Sequence, residues 1–362
     1  MKIGVLKEQD EDKVVLCPRE IRALRKKEVS IWVETDAGVG VQIDNKSFQE
    51  AGAEIKSRSD ILSQADLILS YRSPSSENLG KANPSASLIY TKEFLAKVTA
   101  SNSQEGQALM AFDLSYIPRS TRAQAMDVLS SMASIAGYQA AILSALHLPK
   151  YFPMMMTAAG TIPPAKVLIL GVGVAGLQAI ATARRLGAQV EAFDVRESTR
   201  EEVLSLGAKF IDIPGAKDDK NSAYAQEQDE AFLKRQRETL DKHISRADVV
   251  ITTAQVRGRK APILVKKEAI ERMKKGSVII DMATSSGGNV EGSQNNKTVS
   301  INGVKIIGDS ALEEQAAMDA SMLLSKNYYN FISLLLAQED YLNSEDDIIE
   351  ACKITHSKTL AT

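Results

Sequence analysis

Gly171, Gly173 and Gly176 fall as G-x-G-x-x-G at the end of an apolar run, and Asp194 follows. Each position has a physical task. Gly171 permits a tight strand-to-helix turn, Gly173 lets a pyrophosphate approach bare backbone, and Gly176 lets helix and strand pack closely. Val174 and Ala175 open the helix, whose unpaired N–H groups and positive dipole end face the phosphates. An acid about 20 residues past such a turn accepts hydrogen bonds from ribose hydroxyls and repels a 2′-phosphate. The coenzyme predicted is therefore NAD(H). Val195 and Arg196 flank the acid, and the cation at Arg196 leaves an opening for NADP.

These residues need elements to hold them. Ala165–Leu170 reads as a buried strand, and Leu177, Ala179, Ile180, Ala183 and Leu186 recur at helical spacing up to a C-capping Gly187. A second strand, Val190–Phe193, delivers Asp194. Thr253, Ala254 and Gln255 follow a further strand, Val249–Thr252, and are expected to line the coenzyme cleft. Ala283–Asn289, with Gly287 and Gly288, is expected to do the same from the strand Ser277–Asp281, and Lys305–Ile307 is the last strand expected.

The N-terminal portion also alternates strands and helices. Strands are expected at Met1–Leu6, Ser30–Glu34, Asp66–Ser70, Leu88–Thr91 and Ala108–Phe112, with Pro18 opening one helix and Ser47 capping another. Helical periodicity then runs from Ser120 to about Leu148, prolines punctuate a linker over 149–164, and a final helix is expected at Glu314–Ala337. The fold class expected is α/β: two Rossmann-like doubly wound parallel-sheet domains joined by two long helices, with a cleft between them. The first would be discontinuous, 1–125 with 315–362; 126–148 would be a linking helix and 149–314 the NAD(H) domain. The polar stretch 216–243 reads as a solvated loop and helix, with Tyr224 as the residue of a mobile lid, and the tail past Tyr341 as a peripheral helix or a partly disordered segment.

Composition excludes several classes. With 362 residues and a formal net charge of −2 the chain lacks the basic surface of a nucleic-acid or anionic-membrane binder. Cys17 and Cys352 stand in no motif, no metal site is expected, and no apolar run reads as a span, so no direct membrane insertion is expected.

Four segments go beyond a generic dinucleotide fold: Arg122–Ser131, Ile135–Tyr138, Pro153–Lys166 and Gly173–Ala183. Together they resemble the NAD(H)-binding domain I, or alpha subunit, of proton-translocating NAD(P) transhydrogenase, a relative of alanine dehydrogenase. The resemblance implies hydride transfer between NADH here and NADP(H) held on a partner subunit, coupled to proton movement through membrane-spanning subunits. It further implies a homodimer, peripheral to the inner membrane on the cytoplasmic side. A loop that contacts nicotinamide in this family is matched by Arg119, Gln124, Asp127 and Ser130, with Arg119 and Asp127 able to brace each other. The lid tyrosine of the family is matched by Tyr224.

Departures from the relatives sort the alternatives. Alanine dehydrogenases place a catalytic histidine after the Leu88–Tyr90 strand, where this chain has Lys92, and their substrate-binding arginine and lysine appear as Lys13 and Arg72. His147, His243 and His356 lie in helical or tail contexts. Within the transhydrogenase pattern, Met132, Ser134, Ser285 and Gln315 depart from the usual residues. A stand-alone alanine-dehydrogenase-like enzyme and a non-catalytic NAD-binding module are the other readings.

Overall fold

The computed structural model describes residues 1–91, 109–213, 230–255 and 259–354. These form two compact units, Met1–Met132 with Glu314–Thr362, and Ala133–Glu313. Tyr224, Lys92 and His356 lie outside the described residues.

The first unit is built on β1 (Lys2–Val5), β2 (Ser30–Glu34), β3 (Glu54–Lys56), β4 (Leu67–Leu69), β5 (Ser87–Tyr90) and β6 (Met110–Asp113). They lie in the order 3-2-1-4-5-6 and pair in parallel. Leu67-Ile68-Leu69 is buried at every position, as expected of a central strand covered on both faces. The helix Ala317–Leu335 lays Leu324, Tyr328, Phe331 and Ile332 into this core. Its Ser321 and Ser325, one turn apart, accept the backbone N–H groups of Val14 (3.0 Å) and Cys17 (2.8 Å), which lets that loop run close to the helix.

One expectation fails here for a local reason. Asp44, not Ser47, caps the helix Asn45–Glu50, because its carboxylate reaches the Ser47 N–H at 2.8 Å. Of the two readings of the tail, its described residues form the helix. Asp346 caps the helix Asp347–Cys352, which buries Ile348, Ile349 and Cys352, and Lys353–Ile354 joins β6 as an antiparallel edge. Arg122 forks onto Asp346 at 2.6 and 3.1 Å and also meets Asp347, tying this tail to the Arg119–Ser130 segment.

Just past β1, Glu8 accepts the N–H groups of Tyr71 (2.6 Å) and Arg72 (3.1 Å). Burial pushes its carboxyl up to about 7, against those two hydrogen bonds, with Glu11 pushing the same way. Between the ordinary carboxyl range and pH 7 the folded protein then holds a proton that the unfolded chain has released, so stability contributed by Glu8 is present at acid pH and lost as pH rises. Glu8→Gln should flatten the fall in unfolding free energy between about pH 4.5 and pH 7. Chemical denaturation at several pH values checks this, and an unchanged slope would exclude Glu8 as its source.

In the second unit the helix Val128–His147 is followed by a hairpin, β7 (Met155–Thr157) and β8 (Gly160–Ile162), where the prolines suggest only a linker. Its main sheet comprises β9 (Lys166–Leu170), β10 (Gln189–Phe193), β11 (Lys209–Phe210), β12 (Val249–Thr252), β13 (Val278–Asp281), β14 (Lys297–Ile301) and β15 (Val304–Gly308). The order is β11-β10-β9-β12-β13-β15-β14, parallel except for the β14–β15 hairpin. β15 contains the expected strand Lys305–Ile307, whereas β14 is absent from the strands expected, and the hairpin turns at Asn302 and Gly303 with φ of 49° and 78°.

Val128–His147 is, by length and a mean hydropathy of 1.3, apolar enough to cross a bilayer, contrary to the reading of the sequence. Its Ala136, Ala140 and Ala141 instead join the core of the second unit with Ile180, Ala183 and Val167, which accounts for the composition. The boundary between the two units falls inside this helix.

Candidate functional site: a dinucleotide turn at the switch point

In the second unit strand order reverses between β9 and β12, and the carboxyl ends of those strands carry the glycine turn and Thr253. This is where open α/β sheets take their ligands. Gly171 has φ of 101°, a conformation that a side chain would strain. A Cβ at Gly176 would lie 2.0 Å from the Gly171 carbonyl oxygen, so only glycine closes the turn, whereas a Cβ at Gly173 would meet nothing within 4 Å. Bare backbone thus faces open space at Gly173, and no side chain caps the helix Val174–Arg185 that begins there. Its first-turn N–H groups remain available to a phosphate. Val174 and Val195 are exposed beside the turn.

Asp194 ends β10 with a side chain only 8% exposed. It accepts the Val172 N–H at 2.7 Å and the Arg196 N–H at 2.9 Å, and the Arg196 guanidinium at 3.0 and 3.1 Å. Burial would raise its pKa, but the Arg196 side chain, these N–H groups and the Arg196 charge together hold it below the usual carboxylate range.

The floor is cross-tied. Thr253 donates its hydroxyl to the Gly171 carbonyl at 2.9 Å, and Gln255 donates to Met282 O at 2.9 Å. The Asn289 amide accepts from the Ala254 N–H at 3.0 Å and donates to Ala254 O and Pro262 O, both at 2.8 Å. Asp281, fully buried, gathers Thr252 Oγ1 (3.1 Å), Ser293 Oγ (2.6 Å) and the N–H groups of Ala283 (3.1 Å), Asn289 (3.0 Å) and Val290 (3.1 Å). Gly288 passes so close that a Cβ there would lie 2.8 Å from Asp281 Oδ2.

Thus Thr253 and Ala254 stand against the glycine turn and Gln255 is tied to Met282, but Asp281 and Asn289, which fix Thr252 and Ala254, carry no motif that assigns them this task. A buried acid and a buried amide around paired glycines are the available signal. Gly137 lies in the segment Ile135–Tyr138, whose resemblance assigns this glycine no task. A Cβ there would lie 2.1 Å from the Ala175 carbonyl oxygen, so the helix Val128–His147 rests on the glycine turn by bare backbone.

In the first unit, Arg119 and Gln124 are exposed, and Asp127 and Ser130 are half-buried. The expected brace between Arg119 and Asp127 is absent. Asp127 turns instead to Ser130, accepting its N–H at 2.9 Å and its hydroxyl at 2.6 Å, as a cap at the start of the helix Val128–His147. Among the described residues Arg119 makes no ion pair. Asn327 (3.0 Å) and Asn330 (2.8 Å) both donate to Ala125 O and steady the segment. Lys13 and Arg72 converge on Glu11, at 2.6 and 2.5 Å.

Fold and turn together define a Rossmann-type dinucleotide-binding protein. Residues 4–136 match the family "Alanine dehydrogenase/PNT, N-terminal domain" and residues 140–362 match "Alanine dehydrogenase/PNT, C-terminal domain". The chain belongs to the alanine dehydrogenase/PNT family. It is 42% identical to the NAD(P) transhydrogenase subunit alpha (first part) of Rickettsia prowazekii (strain Madrid E), over 98% of this chain and 94% of that protein. The solved transhydrogenase of Sinorhizobium meliloti superposes with a TM-score of 0.87 at 39% identity, covering 98% of this chain and 99% of that one. Alanine dehydrogenase is more distant: the Mycobacterium tuberculosis (strain CDC 1551 / Oshkosh) enzyme is 28% identical over 81% of this chain and 75% of its own length.

Proposed function

We propose that this chain is the NAD(H)-binding catalytic subunit of a proton-translocating NAD(P) transhydrogenase, an oxidoreductase that works with partner polypeptides. The observation that carries the reading is an open glycine turn with an acid at Asp194, in a chain 42% identical to a transhydrogenase subunit. When bound, the reduced coenzyme supplies a hydride that NADP+ on the partner accepts.

The chain's own residues bind and orient. The turn at Gly171, Gly173 and Gly176 and the first N–H groups of its helix take the pyrophosphate. Val174 and Val195 offer an apolar wall, and Thr253, Ala254 and Gln255 line the site from the adjoining strand end. Arg119, Gln124, Asp127 and Ser130 are assigned to ordering the nicotinamide, and Tyr224 to covering the coenzyme. Orientation is the whole contribution here, because a direct transfer needs reacting atoms held about 3 to 3.5 Å apart and no acid or base. Relatives named as subunits imply partners: an NADP-binding and a membrane-spanning component, which would place this chain peripherally on the cytoplasmic face of the membrane. Met318, Met322 and Leu323 form an exposed apolar stripe that suits pairing into a homodimer.

Mixing the chain with the NADP-binding domain of a transhydrogenase should give NADH-dependent reduction of an NADP+ analogue whose absorbance is shifted. Arg119→Ala and Gln124→Ala should each slow that transfer at least about tenfold while changing NADH affinity far less. Equal losses in rate and affinity would make the loop structural only. Turnover of alanine or pyruvate by the chain alone would replace the proposal with the alanine dehydrogenase reading.

A further inference from the structure

A carboxylate has about four lone-pair positions. At Asp194 all four are filled from within the chain. Oδ2 accepts the Val172 N–H and Arg196 Nη2, and Oδ1 accepts the Arg196 N–H and Arg196 Nε. The two backbone donors are fixed by the turn. The two guanidinium donors, one on each oxygen, are not. A vicinal diol would place one O–H on each oxygen in just that fork-to-fork manner. The Arg196 guanidinium therefore holds the positions that a ribose 2′,3′-diol would need, and its Nη2 is further tethered to the Val172 carbonyl at 3.2 Å.

We infer that Arg196 is a displaceable placeholder for the coenzyme's ribose, and that it sets how strongly the site discriminates between NADH and NADPH. The inference rests on the NAD(H) reading above and adds a role to this one side chain. The Arg196 side chain is 44% exposed, so it can swing out without unpacking the core, whereas Asp194 cannot follow. Once released, the cation stands beside the ribose and can pair with a 2′-phosphate, softening the repulsion that Asp194 alone would exert. The same residue thus weakens binding of the coenzyme that has the free diol and aids the one that carries the phosphate.

Isothermal titration of the full chain with NADH and NADPH at fixed ionic strength tests this, using Arg196→Met and Arg196→Lys. Met keeps the aliphatic stem and removes the fork. It should tighten NADH about three- to tenfold, a gain tempered by the exposure of the pair, and weaken NADPH by a similar factor. Lys cannot bridge both oxygens but keeps the charge, so it should tighten NADH while retaining NADPH binding. Unchanged or weaker NADH binding by Arg196→Met would overturn the placeholder role, and loss of NADPH binding in Arg196→Lys would overturn the phosphate role. If the unaltered chain binds neither coenzyme, the NAD(H) reading falls first, and with it this inference.

Discussion

Asp281→Ala is expected to lower the unfolding free energy by about 4 kcal/mol, in the range found when one partner of a buried charged network is removed. The carboxylate is fully buried, and Thr252, Ala283, Asn289, Val290 and Ser293 all donate to it. Alanine leaves these donors facing a void too enclosed for each to find water. In a unit of this size that loss corresponds to a fall in Tm of roughly 10 °C. Thermal unfolding followed by circular dichroism checks it, and a change below about 1 kcal/mol would mean the cage is dispensable. Asp281→Asn should also destabilise, by less, because its amide presents donors where the Asn289 and Val290 N–H groups already point. Coenzyme affinity should fall along with stability, since Asn289 carries the hydrogen bonds that set Ala254.

The second large effect lies at a residue that need not touch the coenzyme. Gly137→Ala should weaken NADH binding at least about tenfold and destabilise by about 1–3 kcal/mol, the usual cost of overpacking. The added Cβ would sit 2.1 Å from the Ala175 carbonyl oxygen and 2.9 Å from its Cα, and backbone cannot rotate away as a side chain can. The helix Val128–His147 must back off, or the glycine turn must move. Gly176→Ala obstructs the same turn from the other side, its Cβ 2.0 Å from the Gly171 carbonyl oxygen, and should show the same pairing of losses. Tyr138→Ala, next along the helix and 43% exposed, serves as the control. Titration of NADH fluorescence separates them. Binding by Gly137→Ala at the affinity of the unaltered chain would show that the helix and the turn are independent.

Much of this fold is written locally. The doubly wound order follows from apolar runs such as Leu67–Leu69 and Val249–Thr252, each buried along its whole length, alternating with helices. The glycine turn and Asp194 are legible because their positions are fixed by spacing within one strand-turn-helix-strand unit. The hairpin of β7 and β8 is not, because prolines near a strand look the same as prolines in a linker. A helix in the tail is legible, but its acidic run hides that Ile348, Ile349 and Cys352 are buried and that Lys353–Ile354 extends the sheet.

The chain's sequence by itself determined the coenzyme class, since glycine spacing and a terminal acid act over a few residues and need no distant partner. Tertiary structure decided everything that depends on a neighbour remote in sequence. It gave Asp127 to Ser130 rather than Arg119, set Gly137 against Ala175, and made Asp281 and Asn289 the ties beneath Thr252 and Ala254. The reason is geometric: a carboxylate's partner is whichever donor the packed backbone brings within about 3 Å, and periodicity carries no record of that distance.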